Sequence, residues 1–472
     1  MACILKHFAE TTIKIPHYHL VDGTTFYDIH VAVGKVNWTV QHRFKEFDEL
    51  NEKLVTGHSI SSDLMPPKKV LGNRNPEFLV QRQKLLEIYL QKVLIFFRYT
   101  MCREFVEFLD FNKYDIIYLL QDISNNFYQQ GETILAASKV HEFTTLELYS
   151  ITERLKLPCP SSDSVRKNFD FSHVLDFCSQ LQSLVVRPRK GQQQSEAIPK
   201  IELNTSIGTS NIIPGNLKFD LNAFRSLKSF KMYGIRPENI YDAGILRQTI
   251  SHLSVHSTST TQINQILLCD CIHKADSIDT TKSWTELKSA NFSSNCIQSI
   301  DPSIKLLPKL KTLILDRNHI TTISNLSQLP YLSSLSLCEN FITECIDCHL
   351  ELGNLKTLKL SQNRLTSLSG FRKMYSLVTL DVSCNLIADI EEINHVAGLP
   401  CLEELILTAN PVAGIVDYRQ RVLSRFGDRC TELFLDNEKA EGTEIDMALV
   451  LAALRQSEAK PPLLQTSFVT ER

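Results

Sequence analysis

The chain has 472 residues, which is too long for a single hydrophobic core and predicts two or three domains. Hydrophobic residues make up 43% of the sequence and charged residues 22%, the balance of an ordinary globular protein. The formal net charge of −3 excludes a general attraction to nucleic acid or to an acidic membrane, so any anion-binding site must be a local patch.

The beginning of the chain carries no export signal, since Met1 is followed by neither a long apolar segment nor a small-residue cleavage site. No stretch approaches the roughly 18 apolar residues that a membrane span needs. The 13 cysteines are an odd number scattered through regular segments, which is typical of reduced thiols. These features predict a cytoplasmic protein.

Three β-strands are predicted between residues 12 and 44, separated by turn residues. In the second strand every other residue from Tyr27 to Val33 is apolar, the alternation of a strand with one buried face. Helical spacing of apolar residues then begins at Phe47, and a second helix follows a proline-containing loop at 64–78. Three antiparallel strands followed by helices predict a small α+β domain.

Residues 113–164 are predicted to form a helical linker, which ends at the helix-breaking run PCPSSDS. A second feature of this part of the chain is a stretch at 187–216 that is rich in Gln, Ser, Gly and Pro. Such a composition predicts a flexible insertion, because it offers few apolar side chains for a core.

From residue 287 onward a nine-residue frame, L-x-x-L-x-L-x-x-N, occurs six times with tolerated substitutions. The asparagines that end the six copies are Asn295, Asn318, Asn340, Asn363, Asn385 and Asn410. They follow one another at steps of 23, 22, 23, 22 and 25 residues, which predicts a leucine-rich repeat solenoid. In such a solenoid the leucines of neighbouring copies share one core, and each asparagine can satisfy backbone groups at the turn after its strand.

The repeats also define the rest of the predicted domain organisation. Weaker copies of the frame are predicted at 177–186, 224–232, 246–255 and 260–270. They indicate degenerate repeats over 165–286, which precede regular repeats with a C-terminal cap at 287–437. Residues 438–472 are predicted to form a helix and a disordered tail. The multidomain chain thus contains an α/β solenoid whose outward strand positions are mostly small and polar, a surface that suits protein binding.

The sequence QHRFKEF places Arg43 directly before Phe44, at the junction of the third strand and the first helix. A PPKK loop, which begins at Pro66, and the helical run QRQKLLEIYLQKVL follow. These three elements, in this order, resemble those of the PX (phox homology) family. The resemblance implies a phosphoinositide-binding PX domain over residues 1–112.

The resemblance further implies a headgroup pocket made of four residues. Arg43 would bind the 3-phosphate of a phosphoinositide, since a guanidinium can donate two parallel hydrogen bonds to a phosphate. Phe44, which stands where the family usually has tyrosine, would provide a flat apolar floor under the inositol ring. Lys68 would meet the 1-phosphate, and Arg82 the free ring hydroxyls. This set would select phosphatidylinositol 3-phosphate.

The net charge of this domain does not by itself predict binding to an anionic surface. Residues 1–110 hold 14 Lys/Arg and 13 Asp/Glu, a net charge of +1. Attraction must therefore come from charge focused in the loop around Lys68, where basic residues beside apolar ones predict contact with the bilayer interface. The residues predicted to touch the membrane are Lys69, Val70, Leu71 and Arg74.

The pairing of a PX domain with short leucine-rich repeats resembles a family of scaffold or adaptor proteins on early or recycling endosomes. The resemblance implies that Rab and Rac GTPases and p21-activated kinase are protein partners, and that the protein restrains cell migration. Long members of that family carry a further C-terminal extension that is credited with integrin binding. Because this chain stops just after its repeats, contact with an integrin tail is not expected.

No Gly-rich phosphate loop, nucleophile elbow or HExxH motif occurs in the sequence. We therefore expect neither catalytic residues nor a cofactor nor a metal site, and nucleic acid is not an expected partner. A second interpretation stays open beside the lipid-binding scaffold. The repeats could form the regulatory subunit of a phosphatase or kinase, with a PX fold that binds no lipid.

Overall fold

The computed structural model describes residues 1–68, 75–99, 101–158, 167–189, 205–271 and 279–459. The chain divides into two compact units, Met1–Ile245 and Leu246–Arg472. The boundary between them falls inside the predicted stretch of degenerate repeats.

The first unit contains both strands and helices. Within its described residues, the strands are β1 (Thr11–Val21), β2 (Thr24–Val33), β3 (Val36–Arg43), β4 (Val140–Thr144), β5 (Ser183–Arg187), β6 (Phe219–Asp220), β7 (Ser229–Tyr233) and β8 (Ile240–Asp242). The helices are α1 (Ile4–His7), α2 (Phe44–His58), α3 (Pro76–Phe96), α4 (Arg103–Phe108), α5 (Phe111–Tyr114), α6 (Ile116–Ala137), α7 (Thr145–Leu155), α8 (Ser172–Gln180) and α9 (Gly244–Thr249), which begins at the end of the unit.

The antiparallel sheet of the first unit has the order β1–β2–β3, which confirms the three predicted strands. From Tyr27 to Val33 the alternate side chains of β2 are at most 1% exposed, so the predicted buried face is also confirmed. The register of β1 shifts between Lys14 and His17, where Pro16 has no backbone N–H to donate to the ladder.

Trp38 of β3 lies in the core that this sheet shares with its helices. Its indole N–H donates to the carbonyl of Leu109 at 2.7 Å. Its ring centroid lies 5.2 Å from that of Phe111 and 5.3 Å from that of Tyr114. The core therefore continues beyond residue 112, the predicted end of the domain.

The edge of β3 is covered by a later part of the chain. Asn211 exchanges two hydrogen bonds with Asn37: its side-chain oxygen accepts one at 3.0 Å, and its backbone N–H donates the other at 3.1 Å. The hydroxyl of Thr209 donates to the carbonyl of Thr39 at 2.6 Å. In residues 205–216 the structure thus differs from the predicted flexible insertion, because polar side chains pair with the open edge of a strand.

A parallel sheet of β4, β5 and β7 also forms in the first unit. Val140 pairs with Ser183 in one ladder, and Leu184 pairs with Phe230 in the next. The predicted linker is therefore not wholly helical, since β4 lies between the helices α6 and α7. Phe143 of β4 is 1% exposed, and its burial favours a strand in this short segment.

The second unit is a solenoid. Within its described residues, the strands are β9 (His252–His256), β10 (Ser289–Asn291), β11 (Thr312–Ile314), β12 (Ser334–Ser336), β13 (Thr357–Lys359), β14 (Thr379–Asp381), β15 (Glu404–Ile406), β16 (Phe434–Leu435) and β17 (Glu438–Lys439). The helices that begin in it are α10 (Asn264–Leu267), α11 (Cys348–Leu352), α12 (Asn394–Ala397), α13 (Tyr418–Leu423) and α14 (Gly442–Ala459). Strands β9 to β16 pair in parallel in chain order, which confirms the predicted solenoid.

The bonds of Asn363 show how each repeat is linked to the one before it. Its side-chain oxygen accepts the N–H of Ile342 at 3.0 Å, and its amide donates to the carbonyls of Leu337 at 2.9 Å and Leu360 at 3.0 Å. The other five repeat asparagines make corresponding bonds, which confirms the predicted ladder: Asn295, Asn318, Asn340, Asn385 and Asn410.

One of the four predicted weak repeats is not a strand. Residues 260–270 include α10, in which Ile266 and Leu267 are buried together with Ile263 just before it. This spacing of i, i+3 and i+4 fits one face of a helix rather than a strand. The other three weak repeats contain β5, β7 and β9.

The array is closed after Asn410 by α13, β16 and α14. Arg419 of α13 donates to Glu444 of α14 at 2.7 Å and to the carbonyl of Leu435 in β16 at 3.0 Å. These contacts hold α13, β16 and α14 together after the last repeat asparagine. The predicted disordered tail, from residue 460 onward, lies outside the described residues.

Asp115 gives the first unit a pH-dependent stability. Its buried carboxylate accepts the N–H of Ile4 at 2.7 Å and that of Ile117 at 2.9 Å, and burial raises its pKa to about 7. Between roughly pH 4 and pH 7 the folded protein then binds more protons than the unfolded protein, so stability decreases as the pH rises. We expect Asp115→Asn to flatten this decrease in urea unfolding measured at several pH values. Parallel curves for the two proteins would contradict the prediction.

Candidate functional site

The strand–helix junction holds the two residues that the sequence singled out, since β3 ends at Arg43 and α2 begins at Phe44. The backbone of Arg43 is extended, with φ −90° and ψ 160°, and its N–H donates to the carboxylate of Glu46 at 3.0 Å. Glu46 is the third residue of α2, a position from which a carboxylate can satisfy the residue before the helix. The local sequence therefore fixes where the strand stops and the helix starts.

The guanidinium of Arg43 is half-exposed and lies beside the same carboxylate, with its Nε 3.3 Å from Oε1 of Glu46. The ring of His42 also contacts Glu46, Nδ1 to Oε2 at 3.0 Å. Partial burial opposes ionisation of Glu46, but hydrogen bonds from the Arg43 N–H and from His42 hold its pKa below the ordinary value. Arg43 is thus paired with a charged acceptor while its outer side remains open to solvent.

Arg82 of α3 is enclosed by two aromatic rings. Its guanidinium carbon lies 4.1 Å from the ring centroid of Phe44 and 4.4 Å from that of Phe78. These distances are those of cation–π contacts, which are strongest where water is excluded. Arg82 is 7% exposed, so its charge is held firmly against Phe44 and covers one face of that ring.

The hydroxyl of Tyr27 and Nε of Arg82 are both buried, and neither has a hydrogen-bond partner of good geometry among the described residues. Burial raises the pKa of Tyr27, although the charge of Arg82 and a hydrogen-bonding interaction with it act in the opposite direction. The two side chains are therefore neighbours, and each meets part of the other's need for a polar partner.

Lys68 reaches the same helix from the proline-containing loop. Its ammonium forms an ion pair with Asp48, which lies one turn after Phe44 in α2. The hydrogen bond with Asp48, together with its negative charge, raises the pKa of Lys68. The four residues predicted to contact the membrane, which follow Lys68 in this loop, lie outside the described residues: Lys69, Val70, Leu71 and Arg74.

The structure brings Phe44 and Arg82 into direct contact, while Arg43 and Lys68 are bound to carboxylates of α2. Three participants were missed from sequence: Glu46, Asp48 and Phe78. Phe78 precedes Arg82 by four residues, the spacing of neighbours on one helix face, and this was the available signal.

Two family models match the chain. Residues 31–112 match the model described as PX domain. The first unit therefore contains a PX domain. Residues 285–328 and 353–395 match the model described as leucine-rich repeats (2 copies), in agreement with the solenoid of the second unit.

The relatives of the chain cover it in part. The PX domain-containing protein kinase-like protein of Rattus norvegicus is 37% identical over 131 residues, which are 26% of this chain and 22% of that protein. The chain thus spans about a fifth of that relative's length. A designed CISK-PX domain is 25% identical, with a TM-score of 0.20, and the match covers 21% of this chain and 97% of that one. An internalin from Listeria monocytogenes is 19% identical, with a TM-score of 0.35, and the match covers 56% of this chain and 69% of that one.

The residues of the PX domain described above have the chemistry of a site for an anionic, hydroxylated ring. Arg43 offers a fork of donors to a phosphate, and the partly buried ring of Phe44 offers a flat apolar surface. Arg82 offers a fixed positive charge. Among the helices of the described residues, none combines the length and the hydropathy of a membrane span.

Proposed function

We propose that the protein is a phosphoinositide-binding scaffold whose PX domain recruits it to membranes and whose leucine-rich repeats bind proteins. The observation that supports this most is the buried guanidinium of Arg82. It stacks on Phe44, the residue directly after Arg43, and is 7% exposed. Holding a guanidinium in a nearly buried position is costly, so a role in binding a polar ligand is the simplest reason for it.

The proposed ligand is phosphatidylinositol 3-phosphate. Arg43 binds the 3-phosphate, the exposed part of the Phe44 ring supports the inositol ring, and Arg82 donates to the ring hydroxyls. Lys68 meets the 1-phosphate. To do so, Arg43 and Lys68 exchange the carboxylates of Glu46 and Asp48 for phosphate oxygens, which can accept several charge-assisted hydrogen bonds each.

The finer assignment rests on the resemblance in the sequence. From this resemblance we infer a nischarin-type scaffold, in which a PX domain is paired with leucine-rich repeats. In this proposal the protein is peripheral on early or recycling endosomes. It binds Rab or Rac GTPases and p21-activated kinase, restrains cell migration, and acts by binding rather than by catalysis.

A second function is favoured by a different observation. Arg43 and Lys68 are both paired with carboxylates of α2, as they would be in a PX fold that does not bind lipid. The repeats would then be the functional part, as a regulatory subunit of a phosphatase or kinase. This alternative predicts no difference between vesicles with and without the lipid.

Sedimentation with vesicles separates the two proposals. The full chain is mixed with phosphatidylcholine vesicles that contain either phosphatidylinositol 3-phosphate or the same fraction of unphosphorylated phosphatidylinositol. We expect the protein to sediment with the first and to stay largely in the supernatant with the second. Because phosphate contacts weaken with salt, the bound fraction should fall as ionic strength rises. Equal sedimentation with both vesicles would overturn lipid recognition and favour the alternative.

A further inference from the structure

Three side chains with metal-binding chemistry meet in the PX domain, apart from the headgroup residues. His58 is the last residue of α2, Cys102 precedes α4, and Glu104 lies in the first turn of α4. One ligand atom of each lies within 4.8 Å of those of the other two. Nε2 of His58 is 3.2 Å from Oε2 of Glu104. The fold thus gathers one imidazole, one thiol and one carboxylate from two helices.

The spacing of these atoms is close to that of a tetrahedral zinc site. Zinc binds nitrogen and oxygen at about 2.0–2.2 Å and sulfur at about 2.3 Å, which places neighbouring ligands roughly 3.3–3.7 Å apart. The distance between His58 and Glu104 is just below this range, and the other pairs need to close by at most about 1.5 Å. The side chains of His58 and Glu104 are 31% and 38% exposed, so they can rotate and an ion can enter from solvent.

The neighbouring positive charge of Arg103 does not oppose the binding of a cation. Arg103 lies between Cys102 and Glu104 in sequence, but its guanidinium donates to Glu107 at 2.8 Å and also pairs with Asp122. Its charge is therefore directed away from the three ligands. A thiolate and an imidazole favour zinc, whereas magnesium and calcium favour oxygen ligands alone.

We propose that His58, Cys102 and Glu104 form a zinc site, with a water molecule as the fourth ligand. On binding, the thiol proton of Cys102 leaves to solvent and a sulfur–zinc bond takes its place, while His58 binds through a neutral nitrogen. One thiolate and one carboxylate then balance the two charges of the ion. These ligands are separated along the chain and show no motif spacing, so the sequence by itself predicts no metal site.

The ion joins the C-terminal end of α2 to the start of α4. Phe44 lies at the opposite end of α2, about 20 Å away at 1.5 Å per residue. The site is therefore separate from the headgroup residues. A metal ion that binds the folded protein and joins two helices stabilises the folded state by its free energy of binding.

Cobalt titration of the metal-free full chain tests this site. A thiolate bound to cobalt absorbs in the near ultraviolet, and a tetrahedral cobalt ion absorbs strongly in the visible. We expect one cobalt ion per chain with both bands, displaced by zinc but not by magnesium. Cys102→Ser should remove the near-ultraviolet band, and Glu104→Gln should weaken zinc binding at least about 10-fold.

The matched control is Cys401→Ser, which removes an exposed thiol in the second unit and should leave both bands unchanged. Because Glu104 is partly exposed, Glu104→Gln tests the site even if Cys102→Ser disturbs the fold. A wild-type chain that binds no zinc, or unchanged zinc affinity in Glu104→Gln and His58→Gln, overturns the proposal. Vesicle sedimentation of the same samples reports on the lipid proposal independently, since the headgroup residues are at the other end of α2.

Discussion

Arg43→Gln is expected to lower the affinity of the full chain for vesicles with phosphatidylinositol 3-phosphate by about 10- to 100-fold. A hydrogen bond to a charged group contributes about 1.5–3 kcal/mol, and each 1.4 kcal/mol is a factor of ten. The bond that positions α2 runs from the backbone N–H of Arg43 to Glu46, so it does not depend on the side chain that is removed. Vesicle flotation at a fixed ionic strength measures the affinity.

Arg98→Gln is the matched control for this substitution. It makes the same change of charge in the same domain, just beyond the C-terminal end of α3 and about 24 Å along the helix direction from Arg82. We expect it to leave binding nearly unchanged. The affinity of Arg43→Lys should lie between those of Arg43→Gln and Arg98→Gln, because an ammonium keeps the charge but cannot present two parallel donors. If Arg43→Gln and Arg98→Gln weaken binding equally, the phosphate is held by general charge and not by Arg43.

Asp270→Ala is expected to lower the stability of the first repeats of the second unit by about 3–5 kcal/mol. Arg247 donates to Asp270 through two nitrogens, one of them at 2.9 Å, and the two side chains are 5% and 8% exposed. The alanine leaves the guanidinium buried and without its anion beside Trp284. Hydrogen exchange of the β9 and β10 amides should then accelerate by roughly two to three and a half orders of magnitude, because each repeat depends on its neighbours.

Glu286→Ala is the control for the loss of an ion pair as such. Glu286 pairs with Lys309 at 2.8 Å, but both side chains are about half exposed, so the cost should stay below about 1 kcal/mol. Replacing Arg247 and Asp270 together by leucine should restore most of the stability, since a buried pair and apolar residues of similar size are often nearly equivalent. Similar exchange rates for Asp270→Ala and Glu286→Ala would contradict the prediction.

A membrane-bound scaffold needs more than one contact to stay in place. One headgroup pocket gives weak anchoring, and stable residence usually requires a second attachment at the same surface. In the proposed function the leucine-rich repeats supply it by binding a membrane-associated protein. The two contacts together would bind more tightly than either alone. Loss of either the lipid contact or the protein contact should therefore weaken recruitment strongly, even though the other contact remains.

Local patterns in the sequence were sufficient for the repeat array and for the first sheet. The asparagine ladder follows from its period, because a side chain at every 22 to 25 residues can satisfy the backbone of the preceding copy. The burial of alternate residues from Tyr27 to Val33 follows from strand geometry. The PX domain was predicted from short motifs around Arg43 and Arg82, both of which lie on regular elements.

Contacts between residues far apart in the chain were decided by the tertiary structure alone. No local pattern places Asn211 on the edge of β3, or the carboxylate of Asp48 on Lys68. The strand β4 also formed where the sequence predicted helix, because burial of Phe143 in a sheet outweighs a weak local preference. The sequence by itself determines the features that depend on the spacing of residues along one strand, helix or repeat. The tertiary structure decides the features that depend on contacts between different strands, helices and loops. Hydrogen-bond pairing and desolvation act between residues that are close in space, whatever their separation along the chain.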